Sequence, residues 1–177
     1  MPSGAELYVA LPLFDVAASA LRTTGAYDAE LSSEDLSQAM RVIAQSLLSS
    51  QSLVRATVPE ASLRIQDTRG TAVTAVRVES PVQALVRLNI VLGNATTPGR
   101  LQLEKLDLRE EGSIAAKFAM RALNVEGRVR HALSDPNQAL LMALETQMSP
   151  RQVRISELAL HLGETSLSVR MRGGPLP

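Results

Sequence analysis

Three segments of the chain share an interrupted alternation of apolar and polar residues. Each places two apolar residues two positions apart, slips its phase across a two-residue step that contains a glutamate, and then repeats the apolar spacing. They are ATVPEASL (56–63), LQLEKLDL (101–108) and VRISELAL (153–160). Such a slip turns every later side chain to the other face of a strand, unless an extra residue absorbs it as a β-bulge. The pattern therefore predicts three bulged strands in one strongly twisted, curved sheet.

The longest uninterrupted alternation lies in PVQALVRLNIVLG (81–93). Its apolar positions share one face of a strand, and they are Val82, Ala84, Val86, Leu88, Ile90 and Leu92. An alternation of this length is typical of an antiparallel strand with one buried face. The segment GNATTPG (93–99) is predicted to be its turn, and TAVTAVRV (71–78) to be another strand.

The segment from 114 to 133 fits two kinds of secondary structure. IAAKFAM (114–120) alternates as a strand would, but the whole segment also repeats apolar residues at helical spacing. The helical positions are Ile114, Phe118, Ala122, Val125, Val129 and Leu133. Gly127 is a poor residue for a helix interior, and the charge distribution and flanking alternation also favour a long strand with a kink. In that strand His131 would face inward.

Two amphipathic helices are predicted. The first begins in LSSEDLSQAMRVIAQSLLSS (31–50), where Ser32 and Asp35 have the spacing of a capping box. The second begins in SDPNQALLMALETQM (134–148), where Asp135 is a natural cap and the following proline suits the first helical position. Their apolar stripes are Leu36, Met40, Ile43 and Leu47 in the first helix, and Leu140, Leu141, Leu144 and Met148 in the second.

The predicted fold class is α+β, with a long, bulged, strongly twisted antiparallel meander wrapped against two amphipathic helices. The chain is expected to form a single domain over residues 1–177, with an ordered core from about 7 to 173. Each helix precedes a bulged strand and a hairpin by the same interval, which suggests a helix-plus-hairpin pseudo-repeat at 31–80 and 134–173. The alternative is a chance match between two common amphipathic patterns.

Charge and composition exclude several classes of function. The chain has 18 basic and 18 acidic residues and few aromatic residues, which argues against nucleic-acid binding. Because it has no cysteine, it has no disulfide, catalytic thiolate or cysteine metal site. No stretch approaches the roughly 18 apolar residues that a membrane-spanning helix needs. Residues 7–21 are interrupted by Pro12 and Asp15 and lack a basic flank, so no signal peptide is expected there.

Candidate catalytic and metal-ligating residues are scarce. Neither His131 nor His161 has partners at the spacing of a metal site or a catalytic triad. His161 is out of phase with the apolar residues of its strand, so we expect it to be solvated. No glycine pattern suits a phosphate-binding loop. We therefore predict no catalytic residue, metal or cofactor, and a hydrolase or isomerase would need a buried polar cluster around His131 and Asp135.

Two stretches of the chain carry a resemblance to a known family. They are ELSSEDLSQAMRVIAQSLL with VPEASLRIQDTRGTAVTAVRV, and PNQALLMALETQMSPRQVRISELALHLGETSLSVRMRG. In these stretches the chain resembles a bacterial family within the tubular lipid-binding superfamily, whose members are similar to the BPI-like fold. The resemblance covers about residues 31 to 173 and rests on pattern rather than on a specific motif. It implies a curved sheet wrapped on a long helix, with acyl chains bound in the groove between them.

The predicted function is non-catalytic binding or carriage of a lipid or other long apolar ligand at a bacterial envelope or membrane surface. The resemblance implies an extracytoplasmic or membrane-associated location, although relatives often begin with a signal or anchor segment that this chain does not show. A lipid or apolar small molecule and peripheral membrane contact are the expected partners, with the oligomeric state left open. The candidate lipid-binding residues are Val86, Leu88, Ile90, Leu92, Leu101, Leu103, Phe118, Met120, Leu140 and Leu144.

The main alternative is a structural or protein-interaction module with a filled core. Such a module would use an exposed strand edge or a helix face to bind its partner. An aliphatic interior without large aromatic side chains is compatible with both hypotheses. It can close on itself as an ordinary core, or it can leave a dry groove that accepts an apolar guest.

Overall fold

The described part of the chain forms two antiparallel sheets, of four and three strands, together with five α-helices. The computed structural model describes residues 12–49, 55–80 and 82–177. A 3₁₀ turn at Ser149–Arg151 follows the last helix. The elements are α1 (Pro12–Thr24), β1 (Ala26–Ser32), α2 (Ser33–Ser49), β2 (Arg55–Gln66), β3 (Arg69–Ser80), β4 (Ala84–Asn94), β5 (Leu101–Glu111), α3 (Ile114–Ala122), α4 (Val125–Ala132), α5 (Pro136–Met148), β6 (Val153–Leu162) and β7 (Ser166–Pro175).

The strand order confirms the α+β class and corrects the expectation of one sheet. Strands β2-β3-β4-β5 form the predicted meander, whereas β1-β7-β6 form a separate sheet. Each element is adjacent to its sequence neighbour in the meander, as short hairpin connections require. The three-stranded sheet instead joins the first strand of the chain to the last two, and this non-local pairing leaves no periodic signal in the sequence.

All three predicted bulges are present. The register shifts between Thr57 and Glu60 on β2, opposite Val91 and Leu92 on β5, and between Ile155 and Glu157 on β6. The three bulged strands are edge strands of their sheets. Bulges twist an edge away from further pairing, so these slips protect edges of both sheets rather than curving a single sheet.

Gly93 and the bulge on β5 belong to one arrangement. A Cβ on Gly93 would clash with the carboxylate of Glu104, the bulged residue. Because glycine leaves that space open, the Glu104 carboxylate crosses β4 and meets the Arg69 Nε atom at 3.0 Å. A side chain at position 93 would therefore displace the Glu104 carboxylate from this path.

The predicted strand over 114–133 is wrong, because this segment forms α3 and α4. The Ser113 side chain caps α3 by accepting a hydrogen bond from the Ala116 amide. Asn124 takes a left-handed conformation with φ of 49° between the two helices. A Cβ on Gly127 would lie 2.5 Å from the Asn124 side chain. Gly127, which favoured a strand in the sequence, thus leaves the space that the Asn124 side chain occupies.

Both predicted helix starts are confirmed. The Ser32 hydroxyl accepts from the Asp35 amide at 3.2 Å, and the Asp35 carboxylate accepts from the Ser32 amide at 3.1 Å. These reciprocal bonds form the capping box of α2. Asp135 accepts from the Gln138 amide at 3.2 Å, and Pro136 is the first residue of α5. The predicted stripe of α2 is buried or half-buried at the positions whose side chains are described, which leaves out Leu47.

Helix α2 covers the outer edge of β2 with a row of polar side chains spaced four residues apart. The Ser37 hydroxyl accepts from the Leu63 amide at 2.9 Å and donates to the Leu63 carbonyl at 3.0 Å. Ser33, Arg41 and Gln45 bond other backbone groups of β2. An uncovered edge would present unpaired amides and carbonyls to other chains, so this row satisfies and shields it.

The buried apolar residues divide into two clusters. The α5 core joins α1, α5, the three-stranded sheet and one side of α2. The β4 core lies on one face of the four-stranded sheet, under α3, α4 and the other side of α2. The pseudo-repeat stays a prediction, although α2-β2-β3 and α5-β6-β7 are both a helix followed by a hairpin.

Candidate functional site

The apolar face of β4 is the centre of the candidate ligand site. Val86, Leu88 and Ile90 are buried there in the β4 core. Alternation along an antiparallel strand places these three side chains on one face, as predicted. Leu92 and Leu103 are half-buried at the margin of the same cluster. The structure thus brings together five of the predicted residues on an aliphatic surface.

Three other predicted residues lie in the α5 core. Leu101 and Leu144 are buried there, and Leu140 is half-buried against them. Leu101 is the first residue of β5, at the end of the strand that reaches the three-stranded sheet, so its side chain belongs to a different cluster from Leu103. The candidate residues are therefore divided between two cores, and Leu92 packs against both.

Phe118 and Met120 do not share a face, contrary to the expectation from a strand. Two residues apart is one face in a strand but about 200° around a helix. On α3 this separation leaves Met120 3% exposed in the β4 core and Phe118 70% exposed to solvent. Met120 therefore remains a candidate for the apolar site, and Phe118 faces away from it.

The segment Ile114–Ala132, here called the α3–α4 cover, closes the β4 core only lightly. Helix α3 buries Ala116 and Met120, and α4 has no buried residue. Val125 and Val129 of α4 pack against the core while remaining half-buried. A segment with so few buried contacts opens at a low free-energy cost compared with the elements around it. Opening would expose an aliphatic sheet face.

A groove of about 570 Å³ runs between the end of β5 and the turn that joins α3 to α4. Its rim is polar and carries three basic and two acidic residues, which are Arg109, Lys117, Arg121, Glu110 and Glu126. Met120 lines its floor and packs in the β4 core as well, so the groove borders the aliphatic face. Sequence reasoning missed this groove because the basic residues converge only when 114–122 is helical. Lys117 and Arg121 are four residues apart, a spacing that places two side chains on the same face of a helix and that could have indicated this groove.

A second depression, of about 730 Å³, lies on the outer face of the three-stranded sheet against the loop after β4. Its lining includes Asp28, Glu30, His161 and Arg170, and Arg170 contacts the Asp28 carboxylate at 3.3 Å. His161 is exposed, as predicted. Within the described ranges, no three His, Asp or Glu side chains come together as a metal site would require.

His131 is exposed on α4, so the expectation that it faces inward is wrong. The strand phase that placed it inward does not apply, because the segment is helical. Asp135 caps α5 and forms an ion pair with Arg100. A hydrolase or isomerase would need a buried polar cluster around these two residues. His131 instead faces solvent, and Asp135 caps a helix.

The remaining findings come from the chain as a whole. Among the described residues, no helix is both long enough and apolar enough to cross a membrane. A scan against protein-family models gives no match, and a search of curated proteins gives none either. Function must therefore be argued from the site itself.

Proposed function

We propose that the protein binds a lipid or another long apolar molecule non-covalently, at a bacterial envelope or membrane surface. The ligand would lie between the apolar face of β4 and the α3–α4 cover. The observation that carries this proposal is the contrast between a buried aliphatic sheet face and a cover that buries only Ala116 and Met120.

The chemistry of the β4 core suits an acyl chain. Its members are Ala, Val, Leu, Ile and Met side chains, with no ring and no charged group among them. A guest that replaces the cover on such a face exchanges one apolar contact for another, and leaves no buried polar group unpaired. Each methylene that leaves water contributes about 0.8 kcal/mol, so a long chain can offset the free energy of opening the cover.

The polar groove beside Met120 provides a place for a headgroup. Three cations line it against two carboxylates. An anionic group on the lipid would therefore meet a net positive charge at Lys117 and Arg121. The acyl chain would then extend from this rim toward Leu88 and Ile90. The resemblance to tubular lipid-binding proteins supports the envelope as the setting, while the site supports the class of ligand.

Native mass spectrometry tests this proposal directly. The protein would be purified without detergent, measured, extracted with solvent and measured again, and then exposed to a bacterial lipid extract. A bound mass in the lipid range that leaves on extraction and returns on exposure is expected. A ligand-free mass at every stage would contradict the proposal.

Substitution of a methionine by lysine locates the site. Met120→Lys puts a charge at the groove floor, while the flexible stem lets the ammonium group reach water, so the fold is expected to survive. We expect at least a tenfold loss of lipid uptake, on the order of the cost of one uncompensated polar group near an acyl chain. Met142→Lys, on the solvent side of α5, is the matched control and should retain uptake.

A second candidate function is a protein-interaction module that uses the outer edge of β5. The four-stranded sheet has its other edge covered by α2, whereas β5 ends the sheet. The bulge at Glu104 and the exposed charges Lys105 and Asp107 disfavour strand addition there. If the β5 edge can pair with a strand of another chain, Lys105→Val with Asp107→Val should promote self-association. Size-exclusion chromatography with light scattering would measure the change in mass.

A further inference from the structure

The solvent side of α3 carries two large apolar residues. Ile114 is 77% exposed and Phe118 is 70% exposed. The chain has only two phenylalanines, and the other, Phe14, is 2% exposed in the α5 core. An exposed phenylalanine in a chain with so few aromatic residues is informative, because exposed apolar pairs on a helix commonly mark a contact surface.

Ile114 and Phe118 are neighbours on the helix surface, and basic residues flank them. The two apolar residues are one turn apart, as are Lys117 and Arg121. Each basic residue lies three positions after an apolar one, about 60° around the helix from it. Both basic side chains are exposed, and no carboxylate of the described residues forms an ion pair with either. The surface therefore combines an apolar ridge with free positive charge.

The local charge differs from that of the whole chain. Over the α3–α4 cover, Lys117, Arg121, Arg128 and Arg130 face a single acidic residue, Glu126, which pairs with Arg130 at 3.2 Å. The complete chain has equal numbers of basic and acidic residues. Positive charge is thus concentrated on a segment that also exposes a large aromatic side chain.

We propose that the solvent side of α3 is the surface through which the protein docks on a bilayer rich in anionic lipid. Phe118 and Ile114 enter the headgroup layer, and Lys117 and Arg121 contact lipid phosphates. A helix that lies in a membrane interface has this arrangement of apolar residues beside basic ones. Charge complementarity argues for anionic lipid as the occupant, since its phosphates would supply a counter-charge to both cations while its headgroup layer receives the apolar residues.

The docking surface rests on the proposed function, because a lipid carrier must meet the membrane that supplies its ligand. The geometry relates the two: Phe118 and Met120 lie on opposite sides of the same helix. Lys117 and Arg121 flank Phe118 and also line the groove. Docking through Phe118 would therefore bring the rim of that groove to the membrane surface. An acyl chain could then pass from the bilayer to the β4 face under the α3–α4 cover.

Vesicle flotation tests the docking surface. Wild-type protein is mixed with vesicles of phosphatidylcholine alone, or of equal parts phosphatidylcholine and phosphatidylglycerol. We expect flotation with the mixed vesicles, reduced at high salt because the charge contribution is screened. Phe118→Ser should bind at least tenfold more weakly, since burial of a phenylalanine is lost. Lys117→Glu with Arg121→Glu should bind at least 25-fold more weakly, at about fivefold for each basic residue removed.

Matched controls make the result specific to α3. Met142→Ser removes an exposed apolar side chain from α5, and Arg64→Glu with Arg77→Glu reverses two exposed charges on the four-stranded sheet. Both controls should float as the wild type does. Wild-type protein that floats with neither kind of vesicle, or control variants that lose as much binding as the α3 variants, would overturn the docking surface.

Native mass spectrometry of the same samples separates the two proposals. Flotation that depends on α3, with no lipid retained after the protein is recovered, would refute lipid carriage and support the docking surface. Lipid retained by a wild-type protein that does not float would support carriage and overturn the docking surface. Circular dichroism confirms that each variant is folded before flotation is compared.

Discussion

The two apolar cores of the molecule are both largely aliphatic but are covered differently. Helix α5 buries seven of its 13 residues on the three-stranded sheet. Helix α3 buries two of its nine residues on the four-stranded sheet, and α4 buries none of its eight. Because burial of apolar surface is the main stabilising contribution, the two covers are expected to differ widely in local stability.

Polar contacts reinforce the α5 core. The Asn137 amide oxygen accepts from the Leu101 amide at 2.9 Å, and its nitrogen donates to the Gly99 and Leu158 carbonyls at 2.8 and 3.2 Å. The buried Arg151 donates to the Asp15 carboxylate at 2.9 Å and lies over the Phe14 ring at 5.6 Å. These contacts tie together elements that are distant in sequence.

The four-stranded sheet is itself well supported, since α2 satisfies the edge of β2. The two sheets also meet at their hairpin turns, where the Asp67 and Thr68 amides donate to the Glu164 and Gly163 carbonyls at 3.1 and 3.2 Å. The weak part of this region is therefore its cover and not its sheet. This is the arrangement that a binding site with an opening cover requires.

The largest expected difference between the two cores comes from truncation of a buried leucine. Leu160→Ala, at a position 1% exposed in the α5 core, should lower the free energy of unfolding by about 3 kcal/mol. Val129→Ala on α4 should lower it by less than about 1 kcal/mol, because that side chain is only half-buried. Denaturant titration measures both values, and equal losses would remove the contrast between the cores.

Loss of the Asn137 amide should have the next largest effect. Asn137→Ala leaves one amide and two carbonyls without this partner, so we expect about 2 kcal/mol of destabilisation. Asn89→Ala, at an exposed position on β4, is the matched control and should change stability little. If both variants unfold at the same denaturant concentration, Asn137 does not hold the α5 core together.

Removal of the Ser37 hydroxyl probes the shielded edge of β2. Ser37→Ala breaks both bonds to Leu63 and should cost about 1 kcal/mol of unfolding free energy. It should also increase self-association, since part of a strand edge is uncovered. Light scattering and denaturant titration report the two effects. Ser62→Ala, at an exposed position on the same strand, should show neither.

The smallest predicted effect concerns pH. Burial raises the pKa of the Tyr27 phenol above 10.0, and the Asp35 carboxylate raises it further. The folded state therefore favours the neutral phenol, and this contribution is complete below the unfolded pKa and lost as pH rises through the folded one. Between about pH 9 and about pH 11, unfolding free energy should fall less steeply in Tyr27→Phe than in the wild type. Identical slopes would contradict this.

Local sequence patterns were sufficient for much of the fold. The three phase slips became bulges, and Ser32 and Asp135 became helix caps, because each signal depends on neighbouring residues alone. Helix α1 is absent from the sequence predictions, where Pro12 and Asp15 count only as interruptions of a possible signal peptide. They stand at the first residue and in the first turn of the helix, where both types are favourable.

The candidate site was predicted less completely. Alternation identified the β4 face, but it could not show that Leu101 and Leu103 enter different cores, since that depends on how the two sheets meet. Phe118 was placed on the wrong side because Gly127 favoured a strand over a helix. The sequence also gives no local signal that α4 is only half-buried. Half-buried valines follow the same helical spacing as fully buried ones.

Hydrogen–deuterium exchange, with and without bound phospholipid, tests the central claim most directly. In the ligand-free protein, amides of the α3–α4 cover should exchange much faster than those of α5 and β6. Lipid should then slow exchange in the cover and along β4, and leave α5 unchanged. A cover that is as well protected as α5 without lipid, and unaffected by it, would show that the β4 core is permanently filled and closed.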